Sequence, residues 1–93
     1  MNKYEMLYIL DAALSDEERD ALIEKFENIV KTSGGEVEST DKWGNKKLAY
    51  AIDYKADGYY VLMTFTLAPA ALKELQRVVG ITESVIRSMI TKI

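Results

Sequence analysis

The chain has no cysteine and no histidine. The first absence excludes disulfides, thiolate chemistry and cysteine-based metal sites. The second removes the commonest acid–base group and the commonest metal ligand, so Ser-His-Asp and Cys-His nucleophile arrangements cannot be built from these residues. One proline and five glycines leave few sharp breaks. Long apolar runs are also lacking: Glu5 and Asp11 cut the N-terminal stretch, and neither a signal peptide nor a membrane-spanning helix is readable. The expectation is a soluble cytoplasmic chain with no cofactor, no metal, no membrane partner and no small-molecule substrate. Its 93 residues are read as one domain, 1–93, with room for a two-layer core but not for a deep catalytic cleft.

What is present is ordinary in amount and uneven in placement. Apolar residues make up 48% and charged residues 29%, which argues against disorder. The net charge of −3 divides into −7 over residues 1–41, with four bases and eleven acids, and +4 over residues 42–93, with eight bases and four acids. Overall acidity argues against unspecific nucleic-acid binding, whereas the basic second half leaves room for a local phosphate-binding patch.

Residues 3–10 carry apolar side chains on both parities, the pattern of a central strand. Ser15 offers an N-cap, with Glu18 three residues on to close a capping box. Leu22, Ile23, Phe26, Ile29 and Val30 then follow at helical spacing until Gly34-Gly35 provides a stop. Residues 36–52 read as extended, with Gly44 marking a bulge or bend. Asp57-Gly58 reads as a hairpin turn leading into a strand over 59–67. Pro69 suits the first turn of a second helix with an apolar stripe at Leu72, Leu75, Val78 and Val79, ended by Gly80. Residues 85–93 are β-branched enough for a last strand. The order βαββαβ is that of an α+β, ferredoxin-like split β-α-β fold: a four-stranded antiparallel sheet with two helices on one face, the first and third strands central.

Two helices cover one face only. Tyr4, Met6, Tyr8 and Leu10, with Tyr59, Val61, Met63, Phe65 and Leu67, are assigned to the covered side. The open face then holds Glu5, Leu7, Ile9, Tyr60, Leu62, Thr64 and Thr66, with Val85, Arg87 and Met89 added by the last strand. Leu7, Ile9, Tyr60, Leu62 and Met89 make that face too apolar to be left in water, and they are read as a protein-partner surface. Arg87 is a candidate cross-strand partner of Glu5.

Catalytic patterns are missing. Gly34-Gly35 leads into Glu36 rather than Gly-Lys-Ser/Thr, so no phosphate loop is formed. Acylphosphatases share the element order, but no glycine-rich anion loop with a following arginine occurs. The acids Asp16, Glu17, Glu18, Asp20, Glu24 and Glu27 read as a solvated helix face rather than a metal site. The informative stretch is Lys42-Trp43-Gly44-Asn45-Lys46-Lys47-Leu48-Ala49-Tyr50. Lysines interleaved with aromatics on a hairpin can contact phosphates and stack on unpaired bases; a lysine-guarded edge strand is the plainer alternative.

Tyr4-Glu5, Trp43-Gly44 with Lys46-Lys47-Leu48-Ala49-Tyr50-x-Ile52, Gly58-Tyr59-Tyr60-Val61-Leu62 and Val85-Ile86-Arg87, taken in order, resemble the bacterial small-subunit ribosomal protein S-six family over essentially the whole chain. The resemblance implies no enzymatic activity and a structural role in the platform of the small ribosomal subunit. It also implies pairing with ribosomal protein S-eighteen and binding of the central domain of small-subunit ribosomal RNA. Under it, Lys3, Lys42, Trp43, Lys46, Lys47, Arg87 and Lys92 are the RNA-binding candidates. The chain departs from the family pattern in having Lys46 and Lys47 where arginine is common, which keeps the charge but loses the bidentate fork. Ala51 stands where proline is common, and the charged C-terminal tail of many members has no counterpart before Ile93. Two other readings stay open: an RNA-recognition-motif-like single-strand binder, faintly echoed by Leu7-Tyr8-Ile9 and Gly58-Tyr59-Tyr60-Val61 but with Asp57 where a base is expected, and a self-associating ferredoxin-like regulatory domain.

Overall fold

Both helices begin and end for identifiable chemical reasons. In the computed structural model, which describes residues 1–52 and 55–93 and the side chains of 1–46 and 57–93, α1 spans Asp16–Thr32. Ser15 caps it: the Glu18 amide donates to the Ser15 hydroxyl at 3.2 Å, and that hydroxyl donates to the Glu18 carboxylate at 3.0 Å. The helix closes in a Schellman motif, with the Gly34 amide on Lys31 O at 3.2 Å and the Gly35 amide on Val30 O at 2.9 Å. Gly34 supplies the left-handed residue, φ +85°, and Gly35 serves a different need. A Cβ on Gly35 would collide with the backbone oxygen of Thr66, so the helix end approaches the sheet more closely than any side chain permits.

The second helix, α2 (Pro69–Ile81), starts with proline where the missing N–H has no intrahelical partner to lose. Gly80 was expected to end it, but Gly80 remains helical, and among the described residues only Gly34 and Gly44 take positive φ. Termination falls to Thr82, whose hydroxyl donates to Val78 O at 2.7 Å and whose extended backbone leads the chain away.

The strands are β1 (Asn2–Asp11), β2 (Glu36–Ile52), β3 (Lys55–Leu67) and β4 (Val85–Lys92), in the order β2-β3-β1-β4 with every pair antiparallel. This is the ferredoxin-like βαββαβ arrangement with β1 and β3 central. The core lies between the helices and one face of the sheet, where Met6, Tyr8, Leu10, Val61, Met63, Phe65 and Leu67 meet Phe26, Val30 and Leu75. Tyr8 packs edge-on against Phe26, ring centroids 5.3 Å apart.

Three expectations about the strands are corrected. Asp57-Gly58 is not the hairpin turn: Asp57 pairs with Lys47, and Gly58 pairs with Lys46 on one side and Asp11 on the other. Ladder bonding to both neighbours outweighs the local turn preference, and the ladder continues to Ile52 opposite Lys55. Residues 53–54, between these two strands, lie outside the described residues. Val85 is not on the open face. A register shift places Arg87 opposite Ile9 but Val85 opposite Leu10, so the extra residue Ile86 turns Val85 onto the covered side. Glu5 faces Thr91, four positions along β4 from Arg87, so the supposed Glu5–Arg87 cross-strand pair is not formed.

Candidate functional site

The uncovered face of the sheet can be laid out row by row from the register. Gly44, Tyr60, Ile9 and Arg87 form one row from β2 to β4. The next holds Asp41, Leu62, Leu7 and Met89, and the one after it Ser39, Thr64, Glu5 and Thr91. On the other side of the Tyr60 row stand Lys46, Gly58 and Asp11. The face is thus graded along the strands, with Lys46 and Arg87 towards one end, apolar side chains in the middle, and hydroxyls with Glu5 beyond. Two adjoining hollows mark the middle. One, of about 240 Å³, is bordered by Leu7, Ile9, Tyr60 and Arg87; the other, of about 260 Å³, by Glu5, Leu7, Trp43, Leu62, Met89 and Thr91. Leu7, Ile9, Tyr60, Leu62 and Met89 therefore do share one surface. Ile9 is only 8% exposed there, whereas Met89 is 54% exposed.

A bulge brings Trp43 to this face. Lys42 pairs with Val61 and Gly44 with Tyr60, leaving Trp43 as the extra residue, and Gly44 takes φ +88° to accommodate it. The indole lies nearly parallel to the Tyr60 ring, 7° between planes and 6.4 Å between centroids, and the Lys46 ammonium sits 5.2 Å from the indole centroid. Trp43 stays 45% exposed.

The same bulge separates the basic candidates. Before it, Lys42 points to the helix side and pairs with Asp20 of α1 at 3.3 Å, at the mouth of a polar groove between α1 and β2 that Glu27 and Thr40 also line. After it, Lys46 shares the open side with Trp43. Lys3 lies at the far end of the open face, 3.0 Å from Glu38. Lys92 is opposite Tyr4 and so belongs to the covered side of the edge strand. The Lys47 backbone pairs with Asp57, and its side chain, like that of Tyr50, is outside the described residues. Of the seven basic and aromatic candidates, the structure thus gathers Trp43, Lys46 and Arg87 around Tyr60. Sequence reading passed over Thr91 and Ser88, which border the hollows from β4. Neither carries a compositional signal; an edge strand lets residues of either parity reach the rim.

On the covered side, burial first, then the charge of Glu27 and the neighbouring Tyr59, pushes the Tyr8 phenol far above its ordinary value. No group of three or more carboxylates among the described residues converges as a metal would require, and no described helix is long and apolar enough to cross a membrane.

Comparison with known proteins agrees with this architecture. A family described as Ribosomal protein S6 matches residues 3–92. The small ribosomal subunit protein bS6 of Alkaliphilus metalliredigens is 50% identical over 93 residues, covering 100% of this chain and 98% of that one. Its counterpart from Caldanaerobacter subterraneus subsp. tengcongensis is 47% identical over 92 residues, covering 99% and 97%. The crystal structure of 30S ribosomal protein S6 from Thermotoga maritima superimposes with a TM-score of 0.94 at 26% identity, covering 99% of this chain and 87% of that one. An apolar open sheet on a ferredoxin-like scaffold, matched from end to end by these proteins, places the chain in the ribosomal protein S6 family, the structural proteins of the small ribosomal subunit.

Proposed function

We propose that the chain binds the central domain of small-subunit ribosomal RNA together with ribosomal protein S-eighteen, in the cytoplasm, as a structural and non-catalytic part of the platform. The observation that carries this reading is the graded open face: an apolar middle of Leu7, Leu62 and Met89 lies beside an end carrying Lys46, Trp43 and Arg87. Water is a poor occupant for the middle, and a protein surface is a good one. A chain of net charge −3 gains little from RNA by itself, so a partner that covers the apolar rows and adds positive charge supplies both deficits. The cationic end then adjoins the phosphates, with Arg87 on β4 and Lys46 on β2.

The test is a gel shift at fixed salt with a central-domain RNA fragment, run with this chain, with S-eighteen, and with both. Tight binding by the mixture alone is the expected result. Binding by this chain alone points instead to an RNA-recognition-motif-like module. Absence of any shift, with a dimer in sedimentation, identifies a self-associating domain.

A further inference from the structure

We propose that Trp43 is a stacking platform for one unpaired nucleobase of the bound RNA and that Lys46 takes the adjoining phosphate; this rests on the RNA-binding reading above. Three observations converge. Trp43 is the additional residue of a bulge, held by a glycine at φ +88°, so its side chain is turned onto the open face by a local departure from strand geometry. Bulges re-aim side chains in this way beside functional surfaces. The indole plane is also fixed in advance, lying 7° from the Tyr60 plane, so stacking a base on it orders little that is not already ordered. Finally, among the described residues Lys46 makes no ion pair, unlike Lys3 and Lys42, which are engaged by Glu38 and Asp20. Its ammonium rests over the indole, where a stacked base brings a phosphate within the swing of the lysine side chain. Asp41, on the Leu62 row, repels phosphate from the opposite side and so orients the backbone towards Lys46. An aromatic or aliphatic partner side chain laid on Trp43 would make no use of that cation, whereas a nucleotide carries a stacking ring and an anion together, which is why it is the better occupant.

Trp43 is the only tryptophan of the chain, so its emission reports this site directly. The experiment uses the complex of this chain, S-eighteen with any tryptophan replaced by phenylalanine, and the central-domain RNA fragment. Quenching of Trp43 emission on addition of RNA to the protein pair is expected. Trp43→Leu should weaken RNA binding by about 5- to 100-fold, and Trp43→Phe much less, because the smaller ring still stacks. Lys46→Gln should flatten the slope of log affinity against log salt by roughly 0.7–0.9. Urea midpoints of both Trp43 variants, expected near that of the parent, establish that each is folded. The proposal is overturned if RNA binds without quenching and Trp43→Leu binds as the parent does, or if the emission responds to S-eighteen and not to RNA. Failure of the complex to form at all sinks the RNA-binding reading, and this inference with it.

Discussion

At the middle of the sheet, its two faces are built from nearly the same kinds of residue and have opposite fates. On β1, Met6, Tyr8 and Leu10 are fully buried beneath α1 and α2, while Leu7 between them borders a hollow open to solvent. On β3, Val61, Met63 and Phe65 are likewise fully buried, while Tyr60 and Leu62 remain half-buried. Side-chain chemistry alone does not separate these sets. The helices do, and they are available to one face only. Apolar residues on the covered side are accounted for by folding; those on the open side gain little from folding, so their presence points outward, to an occupant from another molecule.

Substitutions can sharpen or break this contrast, and the largest effect is expected on the covered side. Phe65→Ala removes a fully buried ring tilted against that of Tyr4 and should cost about 3–5 kcal/mol in urea unfolding, much of the stability of a domain this size. Gly35→Ala comes next. The added Cβ meets a backbone oxygen of β3 and the Leu67 side chain, and an overpacking cost of about 1–3 kcal/mol is expected, read as a lowered Tm.

Tyr8→Phe should act in the opposite direction. The Tyr8 hydroxyl is buried and makes no hydrogen bond among the described residues, so removing it should raise stability, by up to about 1–3 kcal/mol. It should also alter the pH profile. A phenol whose folded pKa lies above its unfolded value contributes stability that is complete below pH of about 10 and is lost as pH rises beyond it, because the unfolded chain releases its proton first. Urea midpoints taken on either side of that pH should fall for the parent and fall less for Tyr8→Phe. A parallel fall in both would show that the phenol does not govern the alkaline limb.

The smallest effect on stability, and the sharpest comparison, is expected from Leu62→Ser on the open face. The free chain should change by less than about 1 kcal/mol, while the shift of central-domain RNA by the mixture with S-eighteen should weaken clearly. A large loss of stability in the free chain would mean that the open face belongs to the core after all, and the contrast between the faces would collapse.

Much of this was legible in the residues. The Ser15 cap, Pro69 and helical spacing located both helices, and alternation on the central strands separated the helix-facing side chains from Leu7, Ile9, Tyr60 and Leu62. What escaped lies where alternation is interrupted. Lys42 and Lys46 are an even number of residues apart, and a regular strand would put them on one face. The extra residue at Trp43 puts Lys42 beside Asp20 and Lys46 beside the indole. Val85 and Arg87 are divided in the same way by Ile86. Asp57-Gly58 misled for another reason: a turn preference is local, whereas the pairing that overrides it comes from β1 and β2, far away in sequence. Gly44 did advertise its bulge, but not which lysine would change sides.

That bulge works on β2 as a frameshift works on a message. Lys46, downstream of Gly44, is read onto the other surface from the one its spacing from Lys42 would give it. Deleting Trp43 would take out the bulge and leave Lys42 with the helix and Lys46 with the open sheet, whereas straightening the strand with Trp43 retained would bring both lysines to one surface. A single-residue insertion or deletion at the bulge is therefore absorbed, whereas the same change in a regular stretch of the strand reassigns a whole set of side chains between two unrelated surfaces.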